Sequence, residues 1–290
     1  MTELSMDKQN RKNMPPLVSV CIPVYNGAKY IREAIRSVID QRYPNLEILV
    51  QDNASTDATP EILQELARLH PQLSFLRNDV NIGMAPNWNA VIERAHGDYI
   101  MLLSADDYLE PEFLAACLDV FATTDSSVVT TNHYWLIRSN KTRRIMPISG
   151  GTYRDFTGTV LILNPFSINF TLFSRNAVER LKQNGRLFKE SIVTCDYDLW
   201  IRLASTDMIT HYITLPLGTY RVHDENISRQ KIRMNREAAD VVLDHRQDLV
   251  TSHPVVYRLT IARFIARIFF NLMRFRKYDK DSLQALYHGW

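Results

Sequence analysis

The first half of the chain alternates short apolar runs with amphipathic stretches, the pattern of buried strands followed by helices. The predicted strands lie at 18–23, 46–50, 73–76, 99–103 and 127–131. The predicted helices lie at 28–40, 86–95 and 111–121, and one more is capped by Thr59 and opened by Pro60. Alternating strands and helices with short links predict an α/β domain on a doubly wound, mostly parallel sheet.

The second half of the chain is less regular. Its features are, in order, a break at Gly150-Gly151, an unassigned segment at 154–168, a helix in the later part of 190–204, a strand at 211–222 and helices beyond Asn235. We therefore predict three regions, namely a disordered tail at 1–16, an α/β domain at 17–230 and a C-terminal helical extension at 231–290.

Polar residues follow the predicted strands. The segments concerned are 23–27, 51–57, 78–83 and 104–107, and all are rich in Asn, Asp, Ser or Gly. Ligands of doubly wound sheets bind at the carboxyl ends of the strands. These segments are therefore the predicted binding edge.

Asp106 and Asp107 form an acidic pair at the end of a buried strand, where charge is costly unless it is compensated. A divalent cation supplies that compensation, because Mg²⁺ or Mn²⁺ typically uses one or two carboxylates together with substrate phosphates. The alternative is a turn that caps the helix opened by Pro111. The pair alone does not decide between these interpretations.

Three further motifs carry polar chemistry, and each has a structural alternative. The 51–57 segment presents groups that suit a base or a ribose, but it also suits an Asx-rich turn before a helix. Asp196 and Asp198 fall on different sides of a helix, so one suits general-base chemistry while the other suits a cap or salt bridge. His223 lies at the end of a predicted strand. It suits either a metal ligand or a hydrogen-bonded structural residue.

Composition narrows the function classes. A net charge of +2 gives no reason to expect a nucleic-acid partner. We find no signal peptide and no apolar run long enough to span a membrane, so we expect a cytoplasmic protein. The three scattered cysteines exclude a thiolate zinc site, and the absence of a glycine-rich phosphate loop disfavours dehydrogenases and P-loop enzymes.

Taken in order, these segments resemble glycosyltransferase family 2, the inverting group with the GT-A fold, of the type that builds bacterial polysaccharides. The resemblance covers about residues 17–228 and rests on motifs in the right order and spacing. The motifs are 18–27, 51–57, Asn81-Ile82-Gly83 with Asn89 and 95–99, 104–107, 195–200 and 220–223.

The resemblance implies a role for each matching position. Asp196 would be the catalytic base, and Asp106 with His223 would hold Mn²⁺ or Mg²⁺ on the donor diphosphate. Tyr25 would stack on the base of the nucleotide. The donor-binding residues would be Pro23, Tyr25, Asn26, Asp52, Asn53, Asn81, Gly83, Asn89, Ser104, Ala105 and Asp107.

The function implied is transfer of a sugar, with inversion, from a nucleotide-diphosphate sugar to a hydroxyl of a glycan or lipid-linked acceptor. A UDP-sugar is favoured and a dTDP-sugar is the alternative. Surface polysaccharide biosynthesis, at the inner face of the membrane, is the implied setting.

Three positions depart from the family pattern. Ser104 replaces the first aspartate of the DxD motif, so a metal would depend more heavily on Asp106. Cys195 replaces the glutamate that usually precedes the base. Asn53 replaces a common aspartate and leaves the choice of nucleotide base open.

These departures motivate a rival hypothesis, a nucleotide-sugar-binding or scaffold module without turnover. A nucleotidyltransferase is a more distant alternative, because it shares metal–phosphate chemistry.

The 258–277 stretch is a basic amphipathic helix. Ile261, Phe264 and Ile265 are on its apolar face, while Arg263 and Arg267 are on the opposite one. Such a helix packs on its own domain, which we favour, or lies on an anionic membrane as a peripheral contact.

Overall fold

The computed structural model describes residues 14–223 and 231–276, which build a ten-stranded sheet with helices on both faces. The strands are β1 (Val18–Val24), β2 (Leu46–Asp52), β3 (Leu73–Arg77), β4 (Tyr99–Leu102), β5 (Tyr108–Leu109), β6 (Val128–Ile137), β7 (Asn140–Arg143), β8 (Gly151–Tyr153), β9 (Thr171–Ser174) and β10 (Thr210–Val222).

The helices are α1 (Ile31–Ile39), α2 (Thr59–Leu69), α3 (Met84–Glu93), α4 (Phe113–Thr123), α5 (Thr157–Leu163), α6 (Arg175–Leu181), α7 (Cys195–Ala204), α8 (Lys231–Asp244), α9 (Arg246–Ser252) and α10 (Pro254–Arg276). A short 3₁₀ helix covers Ile168–Phe170. The 154–168 segment, which showed no pattern, thus contains α5 and the start of this 3₁₀ helix.

The sheet order is β3-β2-β1-β4-β9-β6-β10-β5, with β7 on β6 and β8 on β10. β1 pairs in parallel with both β2 and β4, so the strand order reverses at β1. Such a switch point opens a crevice at the carboxyl ends of the flanking strands. β9 is antiparallel to β4 and to β6, while β6 and β10 are parallel. The predicted doubly wound, mostly parallel α/β sheet is confirmed.

Two apolar cores flank the sheet, as the amphipathic helices require. One lies under α1, α2 and α4 and includes Ile35, Leu63 and Phe113. The other lies under the remaining larger helices and contains Trp200, which is fully buried. Because neighbouring side chains of a strand point to opposite faces, β1 supplies Cys21 to one core and Ile22 to the other.

The C-terminal helices share the second core. Val241 and Val242 of α8, Leu249 of α9 and Phe264 of α10 belong to the same apolar cluster as Trp200. Through these four residues, the region predicted as an extension at 231–290 packs onto the sheet domain.

Helix α10 packs on the domain through part of its predicted apolar face. Phe264 is buried, and Arg263 donates a hydrogen bond from Nη2 to the carbonyl oxygen of Leu161 at 2.8 Å. Ile265, however, is 63% exposed, and Arg263 is only partly exposed, so the predicted division of the two faces is wrong at these positions. The described part of the chain contains no helix long and apolar enough to cross a membrane.

The start of helix α2 and the start of the described chain differ from the predicted boundaries. Helix α2 begins at Thr59 rather than after it, because Asp57 Oδ1 accepts hydrogen bonds from the Thr59 amide and hydroxyl at 3.0 and 2.6 Å. Asp57 therefore performs the capping that the sequence assigned to Thr59. The predicted tail at 1–16 lies mostly outside the described residues, which begin at Met14.

α7 contains a buried ion pair between Asp198 and Arg202, and His245 connects this pair to the segment after α8. Asp198 accepts from Arg202 Nε at 2.8 Å and contacts His245 Nε2 at 3.0 Å. Arg202 also donates to the carbonyl oxygens of Leu181 and Leu187. Burial alone would raise the pKa of Asp198, but the His245 hydrogen bond and the Arg202 charge together lower it. The expectation that one of the two aspartates of α7 forms a salt bridge is confirmed for Asp198.

Replacing Asp198 with alanine should destabilise the fold by about 3–5 kcal/mol, since it leaves the Arg202 guanidinium buried without its carboxylate. Urea denaturation near neutral pH measures this loss. Asp207→Ala is the control, because Asp207 pairs with Arg180 on the exposed surface and its removal should change the unfolding midpoint very little.

The same pair predicts a pH dependence. Because folding lowers the pKa of Asp198, its contribution is complete above the ordinary aspartate pKa of about 3.9 and is lost as pH falls further. The stability difference between the wild type and Asp198→Ala should therefore shrink below about pH 4. A difference that stays constant down to the acid transition would contradict the assignment.

Candidate active site

A cleft with a volume of about 1110 Å³ opens at the carboxyl ends of β1, β2 and β4 and extends to β6, β10 and the start of α7. The predicted site residues that line it are Pro23, Tyr25, Asn26, Asn53, Asn81, Ser104, Ala105, Asp106, Asp196 and His223. Residues from six separate sequence segments thus meet in one cavity. Asp52, Gly83, Asn89 and Asp107 were also predicted to bind the donor, and they do not line it.

Hydrogen bonds join the loop after β1 to the loop after β2. Asn26 has a left-handed backbone (φ 52°). Its side-chain Oδ1 accepts from the Thr56 backbone amide at 2.8 Å, and its backbone amide donates to Ser55 Oγ at 2.9 Å. Asp57 Oδ2 accepts from the Ala28 amide at 3.0 Å. The Asx-rich segment therefore serves as a turn that organises both loops at the entrance of the cleft.

Tyr25 is the exposed aromatic side chain beside these loops. Half of its surface is open to solvent, although it directly follows the seven buried residues of β1 in sequence. A half-exposed ring on the wall of a cleft is available to stack on a planar ligand group.

Asp52 and Asn53 are buried, and their side chains contact other groups of the protein. Asp52 Oδ1 accepts from the Ser55 amide at 3.1 Å, and its Oδ2 lies 3.5 Å from Arg77 Nε. Asn53 donates to Asn81 Oδ1 and the Gly83 carbonyl oxygen. Its Oδ1 accepts from the Ile82 amide and Asn78. Asn53 thus shapes the loop that precedes α3.

Gly83 and Asn89 lie behind the cleft wall. Gly83 precedes α3 with φ 92°, a conformation that glycine adopts without strain. Asn89 donates to the Phe188 carbonyl oxygen at 2.8 Å and accepts from the Phe188 amide at 2.9 Å. These residues hold α3 and the segment before α7 in place.

Asp106 and His223 meet at the floor of the cleft, with Asp106 Oδ2 at 2.8 Å from His223 Nε2. Both side chains are partly exposed, at 28% and 20%. No group of three or more potential ligand residues occurs among the described residues. The pair nevertheless fits a Mg²⁺ or Mn²⁺ ion that takes its other ligands from substrate phosphates and water.

Asp107 turns away from the cleft. Its carboxylate is buried and accepts from the Arg221 amide at 2.8 Å and from Asn169 Nδ2 at 2.6 Å. Burial, and then the charge of Asp106, raises the pKa of Asp107. The two adjacent aspartates therefore have different surroundings. Asp106 faces the cleft, while Asp107 joins the turn after β4 to β10.

Ser104 belongs to the same chain of hydrogen bonds. Its hydroxyl donates to Asn169 Oδ1 at 2.9 Å. Because the amide nitrogen of Asn169 is turned toward Asp107, the oxygen of Asn169 needs a donor on its other side. A hydroxyl provides that donor, and an aspartate would not.

Arg221 and Asn169 were not among the predicted site residues. Arg221 donates from Nε to the Asp106 carbonyl oxygen at 3.0 Å and its guanidinium lies 4.5 Å from the centre of the Tyr30 ring. Its place inside the 220–223 motif was the available signal. Asn169 directly follows the unassigned segment at 154–168 and belongs to none of the motifs, so only the tertiary structure reveals its role.

Asp196 lies in the first turn of α7 and lines the cleft. Its Oδ1 accepts from the Tyr197 amide at 2.9 Å, and burial raises its pKa. The loop before it is held by Glu237 of α8, whose Oε2 accepts from the Val193 and Thr194 amides. Asp196 is therefore a carboxylate of raised basicity held by a well-anchored helix start.

Cys195 points the other way. Its side chain is fully buried in the core that contains Trp200. The position where the family usually has a glutamate is thus a packing position in this chain.

The chain that carries this switch-point cleft, with its Asp–His pair and basic carboxylate, belongs to glycosyl transferase family 2, whose model matches residues 19–182. Among similar proteins, the chondroitin synthase of Escherichia coli is 30% identical over 277 residues. That match covers 93% of this chain and 37% of the synthase, so the chain spans little more than a third of that relative.

Solved structures support the GT-A fold. S. aureus TarS 1–349 in complex with UDP-GlcNAc has a TM-score of 0.65 and 19% identity, covering 87% of this chain and 72% of that one. The mannosyltransferase PcManGT from Pyrobaculum calidifontis, in complex with GDP-Man and Mn²⁺, has a TM-score of 0.62 and 19% identity. That match covers 98% of this chain and 85% of the mannosyltransferase.

Restoring the usual aspartate at position 104 should destabilise this chain. Ser104→Asp turns an acceptor toward Asn169 Oδ1 and adds a charge beside Asp106 and Asp107, at a cost of about 2–3 kcal/mol. Ser104→Ala loses one hydrogen bond and should cost about 1 kcal/mol. Urea denaturation without added cation compares them. If Ser104→Asp were as stable as the wild type, the proposed hydrogen-bond chain would be wrong.

Proposed function

We propose that this protein is an inverting glycosyltransferase that moves a sugar from a nucleotide-diphosphate sugar to a hydroxyl of a glycan or lipid-linked acceptor. The observation that carries the proposal is the single cleft shared by Tyr25, the Asp106–His223 pair and Asp196. A base platform, a phosphate-bound cation site and a general base are the groups that this reaction needs.

The donor is proposed to be a UDP-sugar, with a dTDP-sugar as the alternative. Tyr25 stacks on the base, and the loops joined by Asn26 enclose the nucleoside. The complex of the fold relative TarS with UDP-GlcNAc supports a nucleotide-sugar donor. Since Asn53 is saturated by protein hydrogen bonds, recognition of the base depends on backbone groups and on Tyr25 rather than on that amide.

Asp106 and His223 are proposed to hold Mn²⁺ or Mg²⁺. When bound, the cation neutralises the negative charge that develops on the departing diphosphate. Asp107 and Arg221 keep the Asp106 backbone in place, because they are bonded to each other and Arg221 also holds the Asp106 carbonyl oxygen.

Asp196 is proposed to be the general base. It takes the proton of the acceptor hydroxyl as the hydroxyl oxygen forms a bond to the anomeric carbon. The bond from that carbon to the diphosphate oxygen breaks in the same displacement, with inversion, and the nucleoside diphosphate leaves with its electron pair. The raised pKa of Asp196 makes it a stronger base than an ordinary aspartate.

The structure weakens the reasons for a module without turnover. That hypothesis rested on Ser104 and Cys195. Ser104 fits the amide of Asn169, and Cys195 fills the core, so each residue has a structural explanation that leaves Asp106 and Asp196 in the cleft.

The proposed setting is polysaccharide synthesis at the cytoplasmic face of a membrane, which the similarity to chondroitin synthase supports. Contact with lipid, if α10 makes it, would use the exposed residues Val255, Leu259 and Ile265 rather than the buried Phe264. Residue 277, the last residue of the helix predicted at 258–277, lies outside the described residues.

Donor binding should depend on the cation. At a UDP-sugar concentration about 100 times the Kd, with Mn²⁺, the melting temperature should rise by about 5 °C, because the ligand binds only the folded state. Asp106→Asn should remove the effect of Mn²⁺, while Asp79→Asn, in an exposed nearby loop, should keep it. The absence of stabilisation by any nucleoside diphosphate or its sugars would overturn the donor-site assignment.

Asp196→Asn should lower sugar transfer by about 10²–10⁴-fold and leave the donor-induced thermal shift unchanged. The wild-type rate should fall as acid protonates the base, with an apparent pKa above the ordinary value of about 3.9. Asp240→Asn, on the exposed side of α8, is the control. Full transfer by Asp196→Asn would exclude this base. A product that retains a nucleotide phosphate, detected by mass spectrometry, would instead indicate a nucleotidyltransferase.

A further inference from the structure

One wall of the cleft is built from residues outside the family motifs. Trp135 comes from β6, Arg144 follows β7, and Phe166 and Ser167 precede the 3₁₀ helix. The loops after β1, β2 and β4, which are proposed to hold the donor, contribute none of them. This wall is therefore available for the second substrate.

Arg144 is a partly buried cation whose hydrogen-bonding capacity is largely unused. Its Nη1 donates to the Pro165 carbonyl oxygen at 3.0 Å, which is the one side-chain hydrogen bond found for it among the described residues. Within that part of the chain, no carboxylate lies within 4.0 Å of the guanidinium. Burial lowers the pKa of Arg144, yet a guanidinium stays charged in proteins. The guanidinium has five N–H donors, and the Pro165 carbonyl oxygen is the one acceptor described for them. A charged group with unused donors suits an anion that enters the cleft.

Trp135 lines the same wall of the cleft and provides an aromatic surface. Its ring is 42% exposed, and its Nε1 donates to His133 Nε2 at 3.2 Å. His133 is buried, and burial, followed by the charge of Arg144, lowers its pKa to about 3. His133 therefore stays neutral and keeps an acceptor for the indole. A tryptophan held in this way presents a preformed apolar surface, and protein ligand sites commonly combine such surfaces with a few polar groups.

Resting on the proposed function, we propose that Trp135 and Arg144 form the acceptor subsite. They select a glycan whose acceptor-end sugar carries an anionic group, a carboxylate or a phosphate. The sugar ring packs on Trp135 while its anion pairs with the Arg144 guanidinium. The donor diphosphate would not need this arginine, because Asp106 and His223 would hold the cation that serves it under the proposed function.

The test measures acceptor and donor binding separately by isothermal titration, in the presence of UDP and Mn²⁺ for the acceptor series. The acceptor probes are a short oligosaccharide ending in glucuronic acid, the same oligosaccharide with that carboxyl reduced to a hydroxymethyl group, and a counterpart bearing a phosphomonoester. The variants are Arg144→Gln, Arg144→Lys and Trp135→Ala. The matched control is Arg143→Gln, since Arg143 is the preceding residue, exposed, and bonded to the Thr214 carbonyl oxygen outside the cleft.

The wild type should prefer at least one anionic probe to the neutral one, and the preferred probe shows whether a carboxylate or a phosphate is read. Arg144→Gln should weaken that binding by about tenfold or more and remove its salt dependence. Arg144→Lys should recover part of it, Trp135→Ala should weaken all probes, and Arg143→Gln should match the wild type. Donor affinity should be unchanged in every variant, which also shows that each variant is folded.

Three results would overturn the proposal. They are equal binding of neutral and anionic probes, binding of neither anionic probe while UDP-sugar binds, and anionic binding that survives Arg144→Gln. Loss of donor affinity in Arg144→Gln would reassign the arginine to the donor side. A wild type that binds no nucleotide sugar would instead refute the proposed function, so the two failures are distinguishable.

Discussion

The buried carboxylate of Asp107 is the interaction on which the site depends. It joins the turn after β4 to Asn169 of the 3₁₀ helix and to the backbone of Arg221 in β10. Burying a carboxylate is expensive unless donors surround it, and these two amides supply part of that compensation, although burial still raises the pKa of Asp107. The same bonds turn Asp106 toward the cleft and bring the end of β10, with His223, up to it.

The acidic residues of the site illustrate how environment separates the roles of identical side chains. Asp106 is partly exposed beside a histidine, whereas Asp107 is buried among amides. Asp196 gains basicity from burial, while its neighbour Asp198 becomes more acidic through Arg202 and His245. One member of each pair thus faces the cleft and the other stabilises the element that carries it.

Much of the fold was predictable because periodicity and punctuation are local signals. The predicted alternation of strands and helices up to β6 was correct except for the short β5, which was missed, and each of the four polar segments contributes residues to one cleft. The least regular region, 154–168, was unassigned because α5 is short and its contacts with α7 and α10 are non-local. Residues such as Asn53 and Asn89 have ligand-like chemistry, so sequence alone could not show that protein groups already occupy them.

By itself, the sequence determined the order of the larger elements up to β6, the α/β class and the set of polar segments at the binding edge, since these follow from apolar spacing and from residues placed directly after strands. Only the tertiary structure decided which members of that set reach the cleft. Asp106 does and Asp107 does not, because partners distant in sequence, Asn169 and Arg221, satisfy the second carboxylate in the interior. The placement of Trp135 and Arg144 on one wall of the cleft has the same origin, since only the folded sheet brings β6, the segment after β7 and Pro165 together.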